Sequence, residues 1–108
     1  MDESVVRHLE QQNEVADVLR RARALIDRPE KWCKGALSDG KRMCMLGALM
    51  MAEEGYDDGY YGANTLLRKA IGSAHAMISV FNNAPERTHV EVMDAFDRAI
   101  VLAERGEI

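Results

Sequence analysis

Apolar residues recur at spacings of three and four along most of the chain, the period of a helix that turns one face inward. Between Ser4 and Asp27 the stripe consists of Val15, Val18, Leu19, Ala22, Leu25 and Ile26, with arginines opposite. Glu10-Gln11-Gln12-Asn13-Glu14 interrupts it, so Val5, Val6 and Leu9 are expected either to pack on a partner or to fray, leaving residues 1–13 loosely held. Pro29 ends the helix, because the residue before a proline is pushed out of helical space. From Met43 to Ala52 all ten positions are apolar. A helix hydrophobic on every side is normally wrapped by others, so this run is expected to be a short central core helix. Within it, Gly47 would let a neighbouring backbone approach closely. Ser38-Asp39-Gly40 is a turn signal ahead of it, with Asp39 as the expected N-cap. Glu53 and Glu54 oppose the macrodipole at its end, which suggests that one of them has another partner.

The second half predicts two more helices. Leu67, Ala70, Ile71, Ala74, Met77, Ile78 and Phe81 fall on one continuous face, with Gly72-Ser73 as a kink. Asn82-Asn83-Ala84-Pro85 breaks that helix. Thr88 and Glu91 then form a capping box for the last one. It runs to about Glu104, with Val90, Met93, Phe96, Ile100 and Ala103 inward. Strand patterns are nearly absent. The fold class is therefore all-α: a single domain over residues 1–108, a compact bundle of four main helices around a short, fully apolar central helix.

Length and composition narrow the class. The chain has 108 residues, 47% apolar and 30% charged, which suits one soluble globular domain. No stretch is long and apolar enough for a bilayer, so no membrane role is expected. The start, M-D-E-S-V-V-R-H, lacks the basic and apolar regions of a secretory signal. Two cysteines do not make a disulfide framework, and with seven methionines they fit a reducing cytoplasm. The net charge of −4 conceals a division. From Arg20 to Arg42, eight basic residues face three acidic ones, net +5, while the remainder has six basic and fifteen acidic, net −9. Such asymmetry steers charged partners. The sequence pI near 5.3 argues against a dedicated nucleic-acid binder, although arginines on the first helix could contact phosphates.

Four segments could carry chemistry. Lys31-Trp32-Cys33-Lys34-Gly35 with Lys41-Arg42 offers cations around an indole, a setting for a small anionic ligand. The alternative is that Trp32 is a lid on the core and the lysines are simply solvated. Cys44, near a helix start and beside basic residues, could be a nucleophile with His75 or His89 as base. Its apolar neighbours instead suit a small hydrophobe, so no catalytic residue is assigned. Cys33 and Cys44 stand eleven residues apart, and His8, His75 and His89 are scattered. Neither this spacing nor Asp57-Asp58-Gly59 matches a zinc or calcium site, and no metal or cofactor is expected. The segment Phe81 to Thr88 reads as a helix end, a turn and a new N-cap. That reading leaves Arg87 without a partner, a role open to Asp39, Glu53, Glu54 or a ligand anion.

Taken together, W-C-K-G, R-M-C-M-L-G-A-L and F-N-N-A-P-E-R-T-H-V-E-V resemble a family of small bacterial and phage proteins known only as a domain of unknown function. The matching positions are Trp32, Lys34, Gly35, Cys44, Gly47, Ala48, Phe81, Asn82, Pro85, Arg87 and Thr88, within residues 15 to 103. Asn83 stands where the pattern has an aspartate. The resemblance implies a compact helical domain and brings no activity, substrate or cofactor.

Two functions follow as expectations. The first is a non-enzymatic binding module, a small regulatory or phage-accessory protein. Its basic zone would dock an acidic protein, and its acidic loop (Tyr56, Asp57, Asp58, Tyr60 and Tyr61) a basic one; self-association would satisfy the same pattern. The alternative is a small-molecule site, binding or enzymatic, formed by Trp32, Lys34, Arg42, Cys44, Asn82, Asn83 and Arg87. It requires the tryptophan segment and the Asn-Asn-Ala-Pro turn to meet in space.

Overall fold

The first helix, α1 (Glu3–Leu25), starts where the Asp2 carboxylate accepts the Ser4 N–H and stops where Ile26 closes on the Arg23 carbonyl. Arg28 is extended, as the following proline demands, and Pro29–Lys31 form one 3-10 turn. Four more helices follow in a computed structural model that describes residues 2–53, 58–72 and 77–107, apart from the side chains of residues 7–9, 11 and 58. They are α2 (Met45–Ala52), α3 (Asp58–Ala70), α4 (Ile78–Asn83) and α5 (His89–Glu104). The protein is an all-α bundle. α1 packs against α2, α3 and α5, and α2 also meets α3 and α4. Val15, Val18, Leu19 and Ala22 of α1, with Ile26 at its C-cap, are fully buried against Met45 and Leu49 of α2, Leu66 and Leu67 of α3, and Val92 and Phe96 of α5. Each large side chain buried this way contributes roughly 1.5–3 kcal/mol.

Several local expectations need correction. The continuous helix through Gly72 is two helices. Gly72 has φ +119, a conformation that L side chains rarely adopt, so the turn after α3 ends the helix rather than bending it. Met77 is then an exposed, extended cap of α4 instead of an inward residue. Ala74, with Ser73 and His75, lies outside the described residues. The apolar run begins its helix two residues late, because Met43 pairs with Trp32 and Ser38 in extended bridges. Its N-cap is Cys44, whose sulfur accepts the Gly47 N–H at 3.3 Å, and not Asp39. α2 buries Met45, Gly47, Ala48 and Leu49, while Met51 is 64% exposed; eight residues packed from one side leave the other side open. On α5, Val90 faces outward and Val92 takes the inner position, beside Met93, Ala95 and Phe96.

Gly47 behaves as its place in an apolar helix suggests. A Cβ there would strike the Leu37 carbonyl, because the connection between the 3-10 turn and α2 crosses directly over it. The Thr88–Glu91 capping box is complete, with both reciprocal hydrogen bonds formed.

α1 outruns its neighbours. Gly59, at the start of α3, packs against the Glu14 side chain, and Gly106, just past α5, packs against Gln12. Residues 3–11 therefore continue as helix beyond the described end of the bundle, consistent with extents of 47 × 26 × 20 Å.

Candidate functional site

The tryptophan segment and the Asn-Asn-Ala-Pro turn do meet. Backbone bonds from Cys33 to the Met43 carbonyl (3.1 Å) and from Met43 to the Lys31 carbonyl (2.9 Å) lay the connection beside the start of α2. α4 closes over it. Asn82 is fully buried, and its amide joins three segments. Its Oδ1 accepts the Trp32 indole N–H at 2.6 Å and the Met45 N–H at 3.1 Å. Its Nδ2 donates to the Cys33 carbonyl and to Asn83 Oδ1, both at 3.0 Å. Asn83 Oδ1 also accepts the Gly35 N–H at 2.9 Å. Lys34 Nζ lies 5.6 Å from the Trp32 ring centroid and donates to the Ala84 and Pro85 carbonyls. These groups satisfy one another, which is the arrangement a buried polar network needs in order to stabilise a fold.

Arg87 completes the turn from below. Its guanidinium stacks 3.6 Å from the Phe81 ring centroid, donates to the Phe81 carbonyl at 2.9 Å, and pairs with Glu91 at 3.0 Å. Its partner is thus the capping-box glutamate, and not Asp39 or Glu53; Glu54 lies outside the described residues. Thr88 donors, its backbone N–H first, hold the Glu91 carboxyl below its ordinary value, with Arg87 adding to the effect. Arg42 is elsewhere, bound through its Nε to Asp39 at 2.7 Å. The backbone N–H groups of Arg42 and Lys41, with the Arg42 side chain, bring the Asp39 carboxyl down to about 2. Asp39 therefore closes its own loop.

The remaining candidates separate. Cys44 is buried as the α2 cap, and burial raises the Cys33 thiol. His89 Nε2 lies 2.7 Å from the Ile26 carbonyl, and its ring packs against Trp32. His75 is outside the described residues. Among those residues no three His, Cys, Asp or Glu side chains gather as a metal site would require. Of the acidic tyrosine loop, Tyr56 and Asp57 are not described, and Asp58 already begins α3. Tyr60 joins the core, with the exposed Tyr61 edge-on to its ring.

The basic zone is largely engaged within the chain. Arg20 pairs with Asp17 and Glu104, Arg21 with Glu53, Arg23 with Asp97, and Lys31 with Asp27. Glu53 thereby has the partner its place at a helix end called for.

Cations outside that zone line a groove of about 460 Å³ between the C-terminal half of α3 and α5. Ala70, Val101 and Leu102 form an apolar floor, and Lys69, Arg98, Arg105 and Asp97 surround it. Asp97 is held by the two-pronged Arg23 bond at 2.7 and 3.3 Å. Arg98 Nε caps α3 by donating to the Ala70 carbonyl at 3.2 Å. Among the described residues no carboxylate pairs with Lys69, Arg98 or Arg105. The only local signal of this groove in the sequence is the three-and-four spacing of Arg98, Val101, Leu102 and Arg105.

A family model described as a family of unknown function, DUF6197, matches residues 10–102. No curated protein and no solved structure matches the chain.

Proposed function

The chain belongs to the DUF6197 family of unknown function, and from that premise we propose that it is a non-enzymatic binding module whose working surface is the α3–α5 groove. One observation carries the reading: cations without described carboxylate partners ring an apolar groove of about 460 Å³, while most of the basic residues between Arg20 and Arg42 are tied to partners within the chain. An apolar floor with a basic rim suits an acidic amphipathic segment laid along it, its apolar face on Val101 and Leu102 and its carboxylates toward Lys69 and Arg105. Arginine and lysine at such a rim steer encounter, and the floor supplies affinity. The buried free thiols of Cys33 and Cys44 support placing the module in a reducing cytoplasm. The resemblance of the motifs to small bacterial and phage proteins supports a regulatory or accessory role.

Fluorescence anisotropy with a panel of acidic amphipathic peptides tests the reading. The wild type is expected to bind at least one of them with an affinity that falls as salt rises, and the K69E/R105E protein to lose that binding. The reversal R28E/K41E, on the former basic zone, is expected to leave it unchanged. If all three proteins bind every peptide equally, or none binds any, the groove is not the working surface.

A further inference from the structure

We propose that the segment occupying this groove is the N-terminal arm of α1 from a second copy of the chain, exchanged reciprocally in a two-fold dimer; the inference rests on the groove reading and names its partner. The arm has the required chemistry. Residues 2–11 carry three carboxylates, Asp2, Glu3 and Glu10, against the single base Arg7. Val5 and Val6 are 47% and 37% exposed on a helix that extends past Gly59 and Gly106. An acidic, apolar-tipped helix thus stands beside a basic, apolar-floored groove.

Position and length agree with exchange. Gln12, at the base of the arm, donates to the Ala103 and Glu104 carbonyls at 3.4 Å, so the arm leaves the bundle at the C-terminal end of α5. The groove residues Val101, Leu102 and Arg105 occupy that same end. A two-fold axis beside it sets each arm against the other copy's groove, and such an interface closes on itself as a dimer. Residues 3–11 span about 13 Å of helix, and Arg98 to Arg105 about 10 Å, at 1.5 Å per residue. The arm cannot turn back into its own groove, because Glu3–Leu25 is one unbroken helix.

Sedimentation velocity of the full chain over a concentration series tests the proposal. A monomer–dimer equilibrium is expected that weakens with salt. V5S/V6S, at exposed positions, and K69E/R105E are each expected to raise the dissociation constant about tenfold or more. A chain combining E3K/E10K with K69E/R105E restores opposite charges across the interface and is expected to regain the dimer. A wild type that stays monomeric while a free acidic peptide still binds the groove overturns the exchange and leaves the groove reading standing. A dimer indifferent to both sets of substitutions overturns the exchange as well.

Discussion

The Trp32–Asn82 knot and the α3–α5 groove are both polar regions set against apolar surroundings, yet they are built on opposite terms. In the knot the indole N–H, the Asn82 amide, the Lys34 ammonium and two backbone N–H groups are each taken up by an acceptor from a distant segment. In the groove the cations have no described carboxylate partner, and the apolar floor lies open between them. Internal satisfaction holds a fold together, whereas unmatched charge around an apolar concavity invites a partner. The residues that stand out most in the sequence serve the first purpose, and the proposal assigns Lys69, Arg98 and Arg105 to the second.

The contrast can be broken at the knot first. Asn82→Ala removes one side chain but orphans the Trp32 indole N–H, the Met45 N–H and the Cys33 carbonyl. At about 1–3 kcal/mol for each unsatisfied buried group, with Trp32 only part-buried, the expected loss is about 3–5 kcal/mol in urea denaturation. A change below about 1 kcal/mol would mean that the knot does not stabilise the fold, and would reopen it as a ligand site. Gly47→Ala forces a methyl group into the Leu37 backbone and is expected to destabilise by about 1–3 kcal/mol, read in the same assay. At the groove, K69E/R105E alters exposed rim charges and is expected to shift stability by no more than about 0.5 kcal/mol while abolishing peptide binding.

The smallest effect concerns Asp39. Its carboxyl sits at about 2 rather than the ordinary 3.8. A lowered folded-state value means that its contribution is full above pH 4 and is lost as pH falls toward 2. Because the group is exposed, the loss should be local. NMR titration is expected to show the Asp39 carboxyl protonating near pH 2, with the Lys41 and Arg42 amides moving together and the core unchanged. A midpoint near 4 would show that these hydrogen bonds do not hold the loop.

Much of the fold was legible because it is governed by local physics. The α1 stripe, the proline stop, the Thr88–Glu91 box and the close approach at Gly47 all depend on a few neighbouring residues. The split between α3 and α4 was not, since Gly72 within an apolar periodicity reads equally as a kink or an end, and only its φ decides. The α2 start was misplaced because Met43 and Cys44 are apolar whether helical or extended; the bridge to Trp32 selects the latter. Asn82 looked like a turn residue because its four partners include groups 37 to 50 positions away. The tryptophan and asparagine motifs, about fifty residues apart in the chain, share one place through bonds that no local pattern reveals. The groove joins Lys69 to Arg98 and Arg105 across two helices, and no window of sequence brings them together.

Which of the two regions receives a partner is decided by one NMR titration of the labelled chain with an acidic amphipathic peptide. Shifts are expected at the amides of Ala70, Val101, Leu102 and Arg105, with the Trp32 indole N–H signal unmoved. Movement of the Trp32 indole and the Gly35 amide, with the groove silent, would contradict it.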